Sequence, residues 1–434
     1  MDSFHDVLYH LHDYHRSLFS PATQWAQLTA RLFSWPGSWM SQLPGAARVA
    51  AGYELLYRLG KHYEKPRFGI ETVDVRGARV AVIEETVLAR PFCRLQRFTR
   101  MSDDAKAVAR LRDDPPVLVV APLSGHHATL LREAVATLLT RHDVYVTDWI
   151  DARLVPADEG SFALDDYVGY VREFIRHIGA ERLHLLAVCQ PAVPVLAAVA
   201  LSAAAGEPQP RSITLMGGPI DARRNPTQVN KLATSKPLRW FETHLLHEVP
   251  PSYPGRGRRV YPGFLQHASF IAMNPIRHMS SHLDFFHDLS KGDDARADDH
   301  RRFYDEYNAV LDMPAEYYMD CIRVVFQQHL LPRGLWQVAG EPVAPAAIRD
   351  AALMTVEGEL DDISGLGQTQ AAHDLCTGIA SDHKRHLTVK GAGHYGIFSG
   401  RRWRETVYPA MRDFMATADA ATAAPKRRRL LRTA

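Results

Sequence analysis

From Pro115 onward, short apolar runs alternate with longer stretches of helical pattern, and this alternation is the strongest constraint on how the chain can fold. The apolar runs include PVLVVAPL, DVYVTDW, LHLLAVC and SITLMGG, and the helical stretches include HATLLREAVATLLTR and DDYVGYVREFIRHIG. Apolar strands without polar alternation, separated by helices, are typical of a parallel sheet that is buried on both faces. The sequence therefore predicts an α/β fold with a mostly parallel sheet.

The same pattern divides the 434 residues into segments. Residues 71–221 and 349–420 are predicted as the α/β core, residues 1–70 as an N-terminal helical extension, and residues 421–434 as a basic disordered tail. Between the two core segments, residues 222–348 contain helical patterns such as EYYMDCIRVVFQQHLL, which favour a cap or lid over a long loop. Within this cap, the charged run KGDDARADDHRR is predicted as a solvated loop.

Composition narrows the class of protein. The 51 basic and 49 acidic residues give a net charge of +2, so no overall field points to nucleic acid. The four cysteines lie far apart without metal-type spacing, which favours reduced thiols in the cytoplasm. The N-terminus lacks the pattern of a signal peptide, and prolines or charges interrupt every apolar run before ~18 residues. We expect a soluble cytoplasmic protein without a membrane span.

Three residues with the chemistry of a nucleophilic triad follow predicted strands. Cys189 comes directly after LHLLAV and precedes a helix, which is the geometry of a nucleophile elbow. Asp361 closes LMTVEGELD, and His394 follows HLTVKGAG. Ligands of open parallel sheets bind at the carboxyl ends of the strands, so these side chains are expected to meet. Their order of nucleophile, acid and histidine is that of α/β-hydrolases, with cysteine in place of serine.

Acyl transfer also needs donors for the developing oxyanion. The main-chain N–H of Gln190, which follows the predicted nucleophile, is one candidate. The second is expected from the loop PLSGHH, at Leu123 or Ser124.

Other interpretations of the candidate site residues, and of several histidines, remain to be considered. Asp362 is adjacent to Asp361 and is an alternative triad acid. Adjacent histidines rarely converge on one ion without further ligands, so no metal site is predicted at His126 and His127. The N-terminal histidines are predicted to lie on a helix surface, and these are His5, His10, His12 and His15. The reaction requires no cofactor.

Taken together, these motifs resemble those of the bacterial intracellular polyhydroxyalkanoate (polyhydroxybutyrate) depolymerases. The resemblance is carried by LYHLHDYHRSLFSPATQWAQ, APLSGHHATLLR, VYVTDWIDAR, AVCQPAVPVLAAVAL, VEGELDDISGLGQTQAAHDLC and GAGHYGIFSGRRWRE. It implies an α/β-hydrolase fold and a cytoplasmic enzyme that hydrolyses amorphous poly(3-hydroxybutyrate)-type storage granules. It places the family's nucleophile on Cys189, its acid on Asp361 and its histidine on His394. The G-x-S-x-G signature is not met, because Ala187 and Pro191 flank the cysteine.

Two rival functions are consistent with the same residues. The related polyhydroxyalkanoate synthases share the order of cysteine, aspartate and histidine, but their elbow keeps flanking glycines that this chain lacks. A catalytically silent granule-binding protein is the third possibility.

The polyester is uncharged, so the protein surface that binds it is expected to be apolar and aromatic. Residues Phe264, Phe270, Tyr317 and Tyr318 are candidates either for a binding groove or for ordinary cap packing. The basic tail is a candidate for contact with an anionic surface.

Overall fold

A nine-stranded sheet lies at the centre of the computed structural model, which describes residues 5–423. Its strands are β1 (Thr72–Val75), β2 (Ala78–Arg90), β3 (Cys93–Met101), β4 (Pro116–Val120), β5 (Asp143–Trp149), β6 (His184–Val188), β7 (Ser212–Met216), β8 (Ala352–Gly358) and β9 (Lys384–Val389). The spatial order is β1-β2-β3-β5-β4-β6-β7-β8-β9. The first four strands in this order pair antiparallel, and the strands from β5 to β9 pair parallel.

Helices cover both faces of the sheet. They are α1 (His5–Ser34), α2 (Ala46–Gly60), α3 (Ala105–Asp113), α4 (Arg132–Leu138), α5 (Leu164–Ile178), α6 (Ala192–Ala204), α7 (Gln228–Ser235), α8 (Leu238–Leu245), α9 (Gly263–Met273), α10 (Pro275–Lys291), α11 (Asp294–Tyr307), α12 (Ala315–Asp320), α13 (Ala372–Leu375), α14 (Gly400–Arg402) and α15 (Tyr408–Ala423). Two helices continue into π-helical turns, α12 into Cys321–Gln327 and α14 into Trp403–Val407.

Strand β6 shows why the sequence gives this layered arrangement. Successive side chains of a strand point to opposite faces, so an all-apolar strand needs cover on both. Leu185 and Ala187 pack in the core that includes α5 and α6, and Leu186 and Val188 pack in the core that includes α4 and α15. This confirms the predicted α/β fold with a mostly parallel sheet, in which β6 leads through a tight turn into α6.

Strands β1 to β3 precede Pro115, where the apolar pattern of the sequence begins. Most side chains of β2 are exposed or half-buried, because this antiparallel part of the sheet faces solvent on one side. Such strands lack the continuous apolar runs that identify the parallel ones. The sequence pattern therefore missed them.

The chain between β7 and β8 contains α7 to α12 and the short strands 247–248, 259–261, 313–314, 337–338 and 341–342. The prediction of a loop for the charged run KGDDARADDHRR is wrong, since most of it belongs to α11. The side chain of Asp293 caps this helix by accepting a hydrogen bond from the N–H of Arg296, and Ala297 and Tyr307 are buried. The boundaries predicted for the extension, core and cap stay a prediction. Of the predicted tail, residues 424–434 lie outside the described residues.

A buried pair of carboxyl groups joins α1 to the rest of the molecule. The hydroxyl of Tyr9 donates a hydrogen bond of 2.5 Å to Asp312, which precedes α12. The main-chain N–H of Asp312 in turn donates to the carboxylate of Asp151, after β5, at 3.2 Å. Burial, and then the nearby Asp312, raise the pKa of Asp151 to about 7. Three distant parts of the chain therefore meet at one buried polar contact.

The outer side of α1 carries an exposed apolar stripe. Its members recur at intervals of three, four or seven residues, which places them on one side of a helix, and they are Leu11, Tyr14, Leu18, Trp25, Leu28 and Leu32. Residues 14–53, which include most of this helix, contain arginines but no aspartate or glutamate. Among the described residues, no helix is both long and apolar enough to cross a membrane.

Candidate active site

Cys189 occupies a strained turn between β6 and α6. Its φ of +70° lies in the left-handed region, which is uncommon for a residue other than glycine. Its N–H donates to the carbonyl of Met216 at 2.7 Å, and its own carbonyl accepts from the N–H of Ala192 at 3.1 Å. A strained turn that sends a side chain out above the carboxyl end of the sheet is the geometry of a nucleophile elbow.

Two glycines after β7 make room for this turn. A Cβ at Gly218 would lie 2.2 Å from Cβ of Ala192 and 2.6 Å from the carbonyl oxygen of Cys189. A Cβ at Gly217, whose φ is +56°, would lie 3.2 Å from the ring of His394. Only glycine allows the backbone after β7 to approach both the elbow and the histidine so closely.

Asp361 and His394 form a buried hydrogen-bonded pair. Nδ1 of His394 is 2.8 Å from Oδ2 of Asp361. The other oxygen of Asp361 accepts from the N–H groups of Ile363 and Ser364, each at 2.9 Å. These three contacts fix the carboxylate, and the carboxylate fixes the orientation of the imidazole.

The loops that carry this pair are tied to each other and to β8. The N–H of Leu360 donates to the carbonyl of Ala392 at 2.8 Å. The buried carboxylate of Glu357 accepts main-chain hydrogen bonds from Gly367, Thr369 and Gln370. Both positions are thus set by main-chain hydrogen bonds rather than by free loops.

Cys189 and His394 line the same cavity, and His394 contacts Asp361, so the structure brings together the three residues of the predicted triad. Burial lowers the pKa of this imidazole, but the Asp361 carboxylate and Cys189 raise it, and the net result lies well above the usual value. Because Asp361 occupies Nδ1, the other ring nitrogen is the one available to the thiol. The arrangement can take a proton from sulfur and hold it as an imidazolium.

The predicted oxyanion donors lie beside Cys189 with different surroundings. The N–H of Ser124 donates to the side-chain oxygen of Gln190 at 3.1 Å. The main-chain N–H groups of Leu123 and Gln190 have no acceptor in the part of the chain that the structure describes. The carbonyl of Ala121, which precedes this loop, accepts from the indole of Trp149 at 2.8 Å, and this contact fixes the loop.

A cavity of about 680 Å³ opens above Cys189 and His394. Its wall is mostly apolar and includes side chains from the core and from the chain between β7 and β8. Of the four aromatic residues singled out in the sequence, Phe270, Tyr317 and Tyr318 line this cavity. Phe264 instead packs against Tyr9, with ring centroids 5.5 Å apart. The cavity offers a large apolar volume directly at the predicted nucleophile.

The alternative acid, Asp362, is exposed and accepts a hydrogen bond from Asn274. It is therefore not the carboxylate that contacts the imidazole.

The histidines considered as metal ligands have other surroundings. His126 stacks on Phe270 with ring centroids 5.1 Å apart, and its Nε2 lies 3.1 Å from the carbonyl of Tyr307. Burial lowers the pKa of both His126, to about 4, and His127, to about 3. His10 and His15 are exposed on α1, whereas His12 stacks on Phe264. Among residues 5–423, no three or more His, Cys, Asp or Glu side chains are grouped to hold a metal ion.

Sequence reasoning missed several residues of the site. Cys321 lines the cavity, and its sulfur lies 3.5 Å from Nε2 of Gln190. Burial raises the pKa of the Cys321 thiol to about 12. The consecutive glycines in SITLMGG were the only available signal for Gly217 and Gly218. Nothing in the sequence points to the side chain of Gln190 as a link between the loop after β4 and Cys321.

Residues 217–419 match the family model described as PHB de-polymerase C-terminus. This segment of the chain is therefore similar to the C-terminal part of PHB depolymerases. It contains Asp361 and His394, together with Gly217, Gly218 and all of the chain between β7 and β8. Cys189 precedes it. No curated protein matches the sequence significantly.

Solved structures resemble the chain at low sequence identity. A putative lipase from Acinetobacter baumannii AYE is 11% identical, with a TM-score of 0.43 over 77% of this chain and 92% of that one. For 2-hydroxy-6-oxo-6-phenylhexa-2,4-dienoate hydrolase from Rhodococcus sp. strain RHA1, the identity is 14% and the TM-score 0.42, over 78% and 99%. A monoacylglycerol lipase from Paleococcus ferrophilus is 13% identical, with a TM-score of 0.41 over 70% and 94%.

Proposed function

We propose that this protein is an intracellular depolymerase that hydrolyses the ester bonds of amorphous poly(3-hydroxybutyrate)-type polyester. The observation that carries the proposal is that Cys189 and His394 lie together in the wall of a large, mostly apolar cavity, with His394 hydrogen-bonded to the buried Asp361. An ester hydrolase is supported in addition by the segment similar to the C-terminal part of PHB depolymerases, which holds two of these three residues.

In the proposed first half-reaction, the thiol proton of Cys189 passes to His394, and the sulfur attacks an ester carbonyl of the polymer. The main-chain N–H groups of Gln190 and Leu123 donate to the oxyanion, because the N–H of Ser124 already donates to the side chain of Gln190. When the intermediate collapses, the ester C–O bond breaks, and His394 gives its proton to the departing alkoxide. The products of this step are a hydroxyl-ended chain and an acyl thioester on Cys189.

Water completes the proposed cycle. His394 takes a proton from water, and the water oxygen forms a C–O bond with the thioester carbonyl carbon. The C–S bond then breaks. The proton returns to the sulfur, so the net reaction adds one water to one ester bond. Asp361 holds the tautomer in which Nδ1 donates and stabilises the imidazolium in both halves.

The apolar cavity and the exposed stripe on α1 support a polyester granule as the partner. A neutral polyester offers apolar groups and ester acceptors, which match a mostly apolar wall that also contains polar side chains. The stripe presents large apolar side chains within a region free of acidic residues. An amphipathic helix of this kind can lie in the boundary of a hydrophobic phase.

The test is incubation of the purified protein with amorphous poly(3-hydroxybutyrate) particles, followed by identification of soluble products by mass spectrometry. Wild type should release soluble hydroxy acids, and Cys189→Ala should release none. Cys376→Ala is the matched control because it removes a buried thiol that does not line the cavity. Retained activity in Cys189→Ala would end the proposal.

Two further arms identify the rival functions. A polymer synthase would lengthen polyester and release CoA when it is given 3-hydroxybutyryl-CoA. A silent granule-binding protein would sediment with the particles without releasing products, and iodoacetamide would not label its Cys189 at neutral pH.

A further inference from the structure

A second, smaller cavity of about 220 Å³ adjoins the cavity above Cys189, which we call the catalytic cavity. We call the smaller cavity the side chamber. Phe270, Met273, Ile363 and Tyr395 line both cavities, so these side chains form the partition between them. The remaining walls of the chamber come from α10, α11, the residue between α9 and α10, and the loop after Asp361, and they include Asn274, Arg277, His278, Tyr304, Tyr307 and Asp362.

The chamber differs chemically from the cavity beside it. Arg277 lines the chamber and makes no ion pair within the described part of the chain. The ring of His278 lies 3.0 Å from the hydroxyl of Tyr304 and 3.2 Å from that of Tyr307. Burial, and then Arg277, lower the pKa of His278, so the ring is neutral at pH 7. Among the described side chains that line the chamber, Arg277 is therefore the only one that is positively charged at pH 7.

Tyr395 connects the chamber electrostatically to the predicted nucleophile. Its pKa is raised well above the usual value, chiefly by burial, with a further rise from Cys189 and an opposing effect from Arg277. Tyr395 lies in the wall of both cavities, whereas Cys189 lines the larger cavity and Arg277 lines the chamber. A ligand group bound at Arg277 would lie one aromatic side chain away from the site of ester cleavage.

We propose that the side chamber binds the carboxylate of a 3-hydroxyacyl chain, with Arg277 as its principal ligand. The inference rests on the proposed function, because the ester groups along the polymer carry no negative charge to pair with a guanidinium. Each hydrolysis of an ester bond creates one carboxylate, and a linear polyester ends in another. Arginine binds carboxylates through two parallel N–H groups, and a tyrosine hydroxyl of the chamber that does not donate to His278 can add a further hydrogen bond.

Asp362 supplies a built-in opposing charge. It lines the same chamber and accepts a hydrogen bond from the side chain of Asn274. Its negative charge weakens the attraction of the chamber for an anion, so the two charged residues must affect carboxylate binding in opposite directions. The proposal therefore predicts that removal of the charge of Arg277 weakens carboxylate binding and that removal of the charge of Asp362 strengthens it.

The experiment measures binding by titration calorimetry in the Cys189→Ala protein, where no turnover interferes. The ligands are 3-hydroxybutyrate, its linear dimer acid and the methyl ester of each. The acids should bind roughly tenfold or more tightly than the esters, because only the acids pair with the guanidinium. Arg277→Gln should abolish this preference, and Asp362→Asn should increase it several-fold. Preference for the monomer acid identifies released product as the ligand, and preference for the dimer acid identifies the chain end.

Arg48→Gln is the matched control, because Arg48 is exposed on α2, makes no ion pair with any residue from 5 to 423 and does not line the chamber. Thermal melting of each variant shows that it is folded, and Arg277→Lys should restore part of the preference. Equal binding of acids and esters, or an unchanged preference in folded Arg277→Gln, would overturn the proposal. Because these measurements need no catalysis, they stand apart from the particle assay, whose failure would remove the proposed function alone.

Discussion

The main-chain N–H of Ser124 donates a 3.1 Å hydrogen bond to the side-chain oxygen of Gln190, so the residue after Cys189 is linked to the loop after β4. The amide nitrogen of the same side chain donates a hydrogen bond to the sulfur of Cys321, at 3.5 Å. Gln190 therefore spans the region in which the oxyanion donors are predicted, and its side chain adds an oxygen close to them.

Replacement of Gln190 by glutamate tests this position. A carboxylate can still accept the hydrogen bond from Ser124, so the loop should keep its place, but a negative charge would then face the developing oxyanion. We expect kcat to fall by about 100-fold, comparable to the loss of one oxyanion donor. The measurement is hydrolysis of a soluble 3-hydroxybutyrate ester, with thermal melting as the check on folding. A rate equal to that of wild type would mean that Gln190 does not face the reacting carbonyl.

Gly218→Ala tests the close contact behind the elbow. The added methyl group would meet Ala192 at 2.2 Å and the carbonyl of Cys189 at 2.6 Å, and backbone atoms cannot move aside cheaply. We expect a loss of about 3 kcal/mol or more in the free energy of unfolding, measured by urea denaturation.

The matched control is Gly169→Ala, since a Cβ at Gly169 in α5 meets nothing within 4 Å. This substitution should stabilise the protein by about 0.5–1 kcal/mol, because alanine is the better helix former. Similar effects of the two substitutions would contradict the tight packing at Gly218.

The buried pair of Asp151 and Asp312 predicts a pH dependence of stability. The folded-state pKa of Asp151 is raised to about 7, mainly by burial and then by Asp312. The pKa of Asp151 is near 4 in the unfolded chain and higher in the folded protein. Its contribution to the free energy of unfolding is therefore fully present below about pH 4 and is lost as the pH rises through about 7. Asp151→Asn should remove this loss. The free energy of unfolding of wild type should therefore fall by about 1 kcal/mol or more between pH 5 and pH 8, relative to the variant. Parallel curves for the two proteins would contradict the prediction.

The apolar stripe on α1 predicts binding to the proposed granule. Leu28 and Leu32 are exposed, and loss of both by substitution with glutamine removes apolar area available to a hydrophobic phase. We expect the fraction of protein that sediments with amorphous polyester particles to fall roughly tenfold. Leu335→Gln is the control, because Leu335 is equally exposed but far from α1 in the sequence. An equal loss in the control would assign the binding to general hydrophobicity.

The strand pattern predicted the parallel part of the sheet because buried parallel strands are apolar without interruption. The same rule placed Cys189, Asp361 and His394 at the carboxyl ends of β6, β8 and β9, and the structure brings these side chains together. Strands and strand ends depend on local sequence, which is why they could be predicted.

The features that the sequence could not predict depend on neighbours that are distant along the chain. The bond between Gln190 and Ser124 and the contact between Gly218 and Ala192 exist only once the sheet has formed. For the charged run in α11, composition favoured a loop, yet a cap at Asp293 and a buried side that includes Ala297 favour the helix. Tertiary packing there outweighs the local signal.

The hydrogen bond between Tyr9 and Asp312 has a practical consequence for expression of shortened forms of this protein. Deletion of the first helix would take the hydroxyl away and leave Asp312, which is 1% exposed, without that donor and still close to Asp151. Asp312 would then lose this partner next to Met313, which lines the cavity above Cys189. N-terminal truncation should therefore damage the enzyme's interior, and fusion partners or tags are better placed at the other end of the chain.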